Sequence, residues 1–243
     1  MMSAFAEVIR QKYALVRRQI DQAAQSVSRR PEDVHLGVVT KAQPVEVVQA
    51  AVAAGAQILG ENYPEEATVK IEALTQKDDI AWHMIGHLQS RKAGLIVEDF
   101  DVLESLDSLH LARKLERLLV EKERQLPVFL EVNVSGEQSK NGLAGWEEPH
   151  WDRLIPEVEE ILSLQHLSVQ GLMTMPPLFD DPELSRPFFT RLHRLADFLS
   201  HRYGSQHFQE LSMGTSMDFQ TAVQEGATYV RVGTAIVGPR PAK

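Results

Sequence analysis

The chain has 243 residues, of which 43% are hydrophobic and 24% are charged, an ordinary balance for a globular protein. Its net charge of −9 argues against a nucleic acid or an anionic membrane as partner, and the lack of cysteine excludes disulfides, thiol catalysis and thiolate metal ligands. No segment resembles a signal peptide or is apolar for long enough to span a bilayer, so a cytoplasmic location is expected.

The first predicted element is an amphipathic helix over residues 3–27, whose apolar positions recur every three or four residues until Pro31. Short apolar runs then alternate with helical patterns. The predicted strands are 34–39, 57–59, 81–85, 102–105, 127–134, 168–172, 208–211 and 229–232. The predicted helices between them are 44–54, 64–74, 89–97, 109–124, 148–162, 183–202 and 217–225.

Regular alternation of strands and helices predicts a parallel sheet with crossover helices. Eight such units favour a closed (β/α)₈ TIM barrel over residues 34–240, with an extra N-terminal helix in residues 1–30. An open, doubly wound sheet is the alternative. No glycine-rich dinucleotide fingerprint follows the first strand, which argues against it. A single domain over residues 1–243 is the simplest organisation.

In a parallel barrel, functional residues lie at the carboxyl ends of the strands, and Lys41 follows the first strand. Burial there would favour the neutral amine, which reacts with aldehydes. The alternative is a solvated lysine at the start of a loop. Glu61 and Asn62 follow the second strand and are candidates for positioning a ligand or Lys41. Asn62 is equally interpreted as the N-cap of a helix that begins near Pro64.

Small and hydroxyl-bearing residues follow the last two strands, where barrels often bind phosphate. Backbone N–H groups approach an anion closely at such residues, and hydroxyls add donors. The predicted phosphate-binding residues are Ser212, Met213, Gly214, Gly233 and Thr234. Two generic glycine-containing turns are the alternative.

Arg231 lies in the otherwise apolar run VRVGTA. A buried arginine requires a partner, which is either a bound ligand or a carboxylate such as Glu61 or Glu131. His83 and His87 are four residues apart, but one lies within a strand and the other follows a glycine. Because they do not share a helical face, no metal site is predicted.

Several stretches, in order along the chain, resemble the pyridoxal 5′-phosphate (PLP) homeostasis protein family, the YggS/PROSC-like proteins. These stretches are VVTKAQP, GENYPEEA, WHMIGHLQ, SLDSLHLARKL, VNVSGEQSKNGL, GLMTMPP, ELSMGTSMDFQTAV and GATYVRVGTAIVGPR. They cover residues 34–240, nearly the whole chain. The resemblance implies a barrel like the N-terminal domain of bacterial alanine racemase, and a non-enzymatic role in PLP supply and amino-acid balance.

The resemblance also implies roles for individual residues. Lys41 matches the lysine that holds PLP as a Schiff base, Arg231 matches the arginine at the pyridine nitrogen, and Asn62 matches a residue close to the cofactor. The matches to the phosphate-binding segments are Ser212, Gly214, Gly233 and Thr234. No catalytic residue and no metal ligand are implied. The departures from the family pattern are Thr40, Arg91, Thr215 and Met217, and they leave the role of the Arg91 region open.

Two catalytic alternatives share the same residues. A PLP-dependent racemase needs a second acid or base opposite the lysine, and only Tyr63 among the four tyrosines lies near the predicted mouth. In alanine racemases that group comes from a second domain, which is expected to be absent because the sequence ends at Lys243. A Schiff-base aldolase would use Lys41 and a substrate phosphate. The expected partners are PLP and PLP-requiring apo-enzymes, with a monomer rather than an obligate dimer.

Overall fold

The computed structural model describes residues 4–74 and 79–240. Its strands are β1 (His35–Val39), β2 (Ile58–Glu61), β3 (Ala81–Met84), β4 (Val102–Leu106), β5 (Leu126–Asn133), β6 (Leu143–Ala144), β7 (Leu167–Met173), β8 (Glu210–Ser212) and β9 (Tyr229–Val232). They pair in the order β4-β3-β2-β1-β9-β8-β7-β5-β6, and β4 also pairs with β5. That last pairing closes eight parallel strands into a barrel and leaves β6 outside it, which confirms the predicted fold class.

The helices of the described residues follow the strands as the alternation predicts. They are α1 (Ala4–Ser26), α2 (Val45–Ala53), α3 (Pro64–Ala73), α4 (Ala93–Asp99), α5 (Leu109–Glu121), α6 (Ile155–Leu162), α7 (Arg186–Tyr203), α8 (Phe219–Gln224) and α9 (Thr234–Val237). Several predicted helices are shorter than expected, and that over 183–202 begins only at Arg186, after a 3-10 turn over Pro182–Ser185. Residues Ser90–Lys92 and Glu148–Leu154 form 3-10 turns ahead of α4 and α6. Pro156 lacks the N–H that a continuous α-helix over 148–162 would use.

Helix α1 confirms the predicted amphipathic helix, although residue 3 lies outside the described part of the chain. Its apolar stripe buries Val16, Ile20 and Ala24. The helix packs against α2, α8 and α9, and therefore covers the side of the barrel where β1 and β9 are neighbours. Among residues 4–74 and 79–240, no helix has both the length and the apolar composition needed to cross a bilayer.

The core lies between the strands and the surrounding helices. Buried aliphatic residues of successive strands include Val38, Leu59, Leu103, Leu130 and Leu172, each with no exposed surface. Because all eight barrel strands run in parallel, their carboxyl ends meet at one end of the barrel, which we call the mouth. Strand β8 begins at Glu210 rather than at residue 208, and a 3-10 turn over residues 205–207 precedes it.

Candidate functional site

A cavity of about 430 Å³ opens at the mouth. Its volume is within the range of roughly 300–1,000 Å³ that is typical of small-molecule sites. Five of the residues predicted from the sequence line it together: Lys41, Asn62, Arg231, Gly233 and Thr234. The strand ends of β1, β2 and β9 therefore bring an amine, an amide, a guanidinium and a small-residue loop around one space.

Lys41 follows β1 and faces this cavity. Burial lowers the pKa of the Lys41 amine, and the positive charges of Arg240 and Arg231 lower it further, whereas Glu61 acts in the opposite direction. The direction of this shift is the one expected for a reactive amine, because a lower pKa increases the neutral fraction at a given pH. The alternative of a fully solvated loop lysine does not describe this environment.

Asn62 lines the cavity and carries a buried amide oxygen without a hydrogen-bond partner. Its Oδ1 is buried and has no partner, and the residue does not cap α3, because the N-cap is Tyr63 without a side-chain hydrogen bond. The interpretation of Asn62 as an N-cap is therefore wrong. A Cβ at Gly86 would lie 2.7 Å from the Cα of Asn62, so the neighbouring loop after β3 packs here only as glycine. A ligand that donates a hydrogen bond would satisfy Asn62 Oδ1.

Arg231 is fixed from several sides. Its guanidinium donates to the Ser212 hydroxyl and, at 2.8 Å, to the backbone oxygen of Thr174, and it lies 3.7 Å from a Glu104 oxygen. The residue is 5% exposed, and its carboxylate partner is 2% exposed. The guanidinium is therefore held rigidly at the bottom of the cavity before any ligand arrives.

The predicted ion-pair partners of Arg231 are wrong. Glu61 pairs with Lys70 at 2.7 Å instead, and Glu131 makes no ion pair with Arg231, although the charges of the two influence each other. Glu104 occupies that place because β4 projects it into the barrel interior. A glutamate within the short strand run VLESL was the sequence signal that could have identified it.

Arg231 faces two carboxyl groups with opposite pKa shifts. Burial raises the pKa of Glu131 to about 7, with the charge of Asp107 acting in the same direction and Arg231 opposing. Burial would also raise the pKa of Glu104, but the hydrogen bond and charge of His83, the charge of Arg231 and the Ser212 hydroxyl together lower it. Glu104 is therefore an anion, whereas Glu131 changes its charge near neutral pH.

Three predicted phosphate-binding residues lie behind the cavity wall rather than in it. Ser212 and Met213 are fully buried, and Ser212 donates its hydroxyl to Glu104. Gly214 has a φ of +92° and a Cβ there would lie 2.5 Å from the Cβ of Ala222, so only glycine fits. These residues shape the loop and hold Arg231, whereas residues further along the same loop reach the cavity.

Thr215 and Ser216 supply the cavity lining after β8. The Ser216 hydroxyl accepts from the backbone N–H groups of Gly233 at 3.1 Å and Ala235 at 3.3 Å, which joins the loops after β8 and β9. Ser216 was not among the predicted phosphate-binding residues, because the prediction named only the residues next to the end of the strand. The serine in GTSMD was visible, but nothing in the sequence showed which loop residue turns toward the cavity.

A groove of about 670 Å³ adjoins the cavity and shares His87 and Asn141 with it. Arg91 lines this groove, where its Nε donates to Gln89 at 3.0 Å. The groove extends from the ends of β3 and β4 toward the loop after β5. The Arg91 region therefore borders the cavity from outside and does not contribute to its lining.

The two histidines of the third strand have separate partners. His83 Nδ1 lies 2.6 Å from Glu104, and His87 Nδ1 lies 2.9 Å from Asp107. Among residues 4–74 and 79–240, no group of three or more acidic or histidine side chains is arranged to hold a metal ion. Tyr63 is 50% exposed and lies outside the cavity lining, so it does not supply an acid or base opposite Lys41.

The fold, a parallel barrel with a lysine at its mouth, places the chain in the class of barrels related to the N-terminal domain of alanine racemase. A family model described as the N-terminal domain of alanine racemase matches residues 13–241. An alanine racemase from Clostridium difficile has a TM-score of 0.67 over 93% of this chain and 60% of its own, at 15% identity. That similarity concerns the fold alone.

Closer relatives identify the family within this class. Proteins named pyridoxal phosphate homeostasis protein are 36% identical in Pasteurella multocida, over 96% of this chain and 97% of theirs, and 38% identical in Pseudomonas aeruginosa, over 98% and 97%. PipY of Synechococcus elongatus, solved with PLP bound, has a TM-score of 0.77 at 34% identity over 90% of this chain and all of its own. The chain belongs to the pyridoxal phosphate homeostasis protein family, which confirms the resemblance seen in the sequence.

Proposed function

We propose that the protein binds PLP in the mouth cavity, holds it as a Schiff base on Lys41, and serves PLP homeostasis rather than rapid catalysis. The observation that carries this proposal is Lys41 itself, a half-buried amine of lowered pKa that faces the same cavity as Arg231 and the loops after β8 and β9. The names of the curated relatives and the PLP-bound structure of PipY support it.

The residues of the cavity fit PLP chemically. The cofactor supplies an aldehyde that condenses with a neutral amine, a heteroaromatic ring and a phosphate. Lys41 would provide the amine, and Arg231 a fixed donor toward the pyridine nitrogen. Asn62, which lines the cavity, would donate from its amide Nδ2 to an oxygen of the cofactor. The cofactor therefore matches the amine, the cation and the amide donor that line the site.

The phosphate would lie at the loops after β8 and β9. Gly233 and Thr234 line the cavity there beside Ser216, whose hydroxyl is in contact with two backbone N–H groups. Ser212, Met213 and Gly214 would support these loops from behind. In this proposal Ser212, Met213 and Gly214 support the site without touching the phosphate. Direct phosphate contact in the β8 loop falls to the residues that follow them and line the cavity, such as Ser216.

The wider biological setting is part of the same proposal. We expect residues 1–243 to act as one PLP-binding domain, monomeric and cytoplasmic, that gives PLP to apo-enzymes which require it. The net charge of −9 supports the absence of nucleic-acid and anionic-membrane partners. The racemase alternative has less support, because Tyr63 is outside the cavity and alanine racemases such as that of Clostridium difficile are only 15% identical. The aldolase alternative has less support, because PipY, at 34% identity, was solved with PLP bound.

Titration of the purified protein with PLP tests the proposal. The wild type should develop the near-ultraviolet and visible absorption of a protein Schiff base, and borohydride reduction followed by mass spectrometry should locate the label on Lys41. Lys41→Ala should abolish both signals. Lys122→Ala, which removes a surface lysine paired with Glu98, is the matched control and should retain them. A wild-type protein that cannot be labelled at Lys41 would contradict the proposal.

A further inference from the structure

The turn that carries Lys41 adopts an unfavourable backbone conformation. Ala42 has a φ of +58°, in the left-handed region that costs free energy for residues other than glycine. The carbonyl of Thr40 accepts from the N–H of Gln43 at 3.0 Å, which closes the turn around Lys41. Such a conformation persists only where the surroundings enforce it.

Helix α3 holds the first half of this turn through Lys70. The Lys70 ammonium donates to the carbonyl of Thr40 at 2.8 Å and to Glu61 Oε1 at 2.7 Å. The Thr40 hydroxyl donates to the same Glu61 oxygen at 2.6 Å. Lys70 is 5% exposed, and neither Thr40 nor Glu61 has exposed surface. A buried ammonium is costly unless it is paired and hydrogen-bonded, as it is here.

The same helix holds the second half of the turn through Glu66. Glu66 Oε2 accepts from the N–H of Ala42 at 3.1 Å. Glu66 and Lys70 are four residues apart on α3, so they share one face of the helix. Neither residue lines the mouth cavity, and both contact the backbone immediately beside Lys41 rather than its amine.

We propose that helix α3 positions Lys41 for its reaction, with Lys70 and Glu66 as positioning residues that hold the turn from both sides. The inference rests on the proposed role of Lys41 as the residue that carries PLP. The helix fixes the direction in which the Lys41 side chain leaves β1. Glu61, oriented by Lys70, also places a negative charge close enough to influence the amine.

Glu66→Ala is the sharpest test, because it removes one acceptor from an exposed side chain. In the protein without PLP, the pH profile of Lys41 reductive methylation, read by mass spectrometry, should shift to higher pH, toward that of a solvated lysine. The rate constant for PLP capture should fall by about tenfold, as expected from the loss of one hydrogen bond. Glu66→Gln keeps an oxygen acceptor and should behave like the wild type.

Glu65→Ala is the matched control, since it removes the adjacent glutamate, which pairs with Lys92 and does not reach the turn. Its pH profile and capture rate should not change. Lys70→Met should slow capture more than Glu66→Ala does; if Lys70→Met does not fold, Glu66→Ala carries the test alone. An unchanged Lys41 profile and an unchanged capture rate in Glu66→Ala would overturn the inference.

The two proposals fail in different ways. If the wild type does not bind PLP, the proposed function fails, whereas the methylation profile of Lys41 still reports whether α3 controls the turn. If the wild type binds PLP on Lys41 but Glu66→Ala retains the wild-type profile and rate, only the positioning role fails.

Discussion

The two ends of the barrel interior are built differently. At the end opposite the mouth, the ring of Tyr229 lies against His35, His83 and Phe129, with centroid distances of 4.6, 5.8 and 5.4 Å. At the mouth, by contrast, several polar atoms are buried without a partner. Among the described residues four such side-chain atoms exist, and three of them belong to Glu61, Asn62 and Glu131.

The difference shows how the barrel divides stability from binding. Packed rings such as those around Tyr229 contribute to stability without offering groups to a ligand. Buried polar atoms without partners lower stability, and they are usually retained where a ligand or a reaction uses them. Changes at the mouth and changes near Tyr229 should therefore have different effects on stability and on PLP binding.

The largest expected effect is at the mouth, from Arg231→Leu. It removes the arginine beside the buried Glu104 and leaves His83 as the remaining partner of that carboxylate. Breaking a buried ion pair costs about 3–5 kcal/mol in the free energy of unfolding. Urea denaturation measures it. Arg194→Leu, at an exposed arginine paired with Glu148, is the control and should change stability by less than about 1 kcal/mol. An equally small loss in Arg231→Leu would show that the interior does not depend on this ion pair.

Arg231→Glu would be a poor test of the proposed contact between Arg231 and the pyridine nitrogen. It would add a third carboxyl beside Glu104 and Glu131, so loss of the fold would hide any effect on the cofactor spectrum. Arg231→Leu followed by PLP titration at low temperature is cleaner. Retention of the Schiff base with a shifted absorption maximum is expected, because the proposed donor to the pyridine nitrogen is gone.

The next largest effect concerns pH and Glu131. Its pKa rises from 4.5 to about 7 on folding, so the folded protein binds this proton more tightly than the unfolded chain does. Stability from this group is complete below the unfolded pKa and is lost as the pH rises through about 7. Glu131→Gln should remove up to about 3 kcal/mol of that pH dependence, measured by urea denaturation between pH 5 and pH 8.

Phe129→Leu is the comparison for the pH experiment, because it changes the packing around Tyr229 without adding or removing a charge. It should lower stability by a similar amount at both pH values. If the free energy of unfolding of Glu131→Gln depends on pH as that of the wild type does, Glu131 is ionised at both pH 5 and pH 8. Burial at the mouth would then not raise the pKa of this carboxyl, and the expected contrast with the packed rings around Tyr229 would be smaller.

The smallest expected effect is at Asn62. Asn62→Ala removes the unpartnered acceptor Oδ1, so the protein without PLP should become more stable by about 1 kcal/mol. PLP affinity should fall by about tenfold, since the proposed hydrogen bond from the Asn62 amide to the ligand is lost. Thermal unfolding and PLP titration measure the two changes. Higher stability together with weaker PLP binding would support the view that the mouth gives up stability for binding. A loss of both stability and PLP affinity would contradict it.

Much of the fold could be predicted because apolar runs and helical patterns alternate regularly. Two elements were missed for physical reasons. Helix α9 has four residues, too few to show a helical period. Strand β6 has two residues and exists only because Leu143 and Ala144 pair with Val132 and Asn133 of β5, a contact that no local pattern reveals.

The site was predictable only where it depended on strand ends. The position of β1 made Lys41 a candidate, and a charge in an apolar strand made Arg231 one. From the sequence, only the family resemblance favoured a PLP lysine over a solvated loop lysine. The partner of Arg231 could not be predicted from the sequence, because Glu104 and Arg231 are distant in sequence and meet only inside the closed barrel. The same holds for Lys70, whose position on a helix gave no indication that it supports the turn of Lys41.

The ligand cavity at the barrel mouth has a consequence for the lifetime of the molecule. Under the proposed function PLP binds only the folded barrel, and a ligand present at 100 times its dissociation constant adds about 2.7 kcal/mol to the free energy of unfolding. Barrels without ligand therefore open more often, and a protease that samples open chains removes them first. The amount of this protein that survives would then follow the supply of its own ligand.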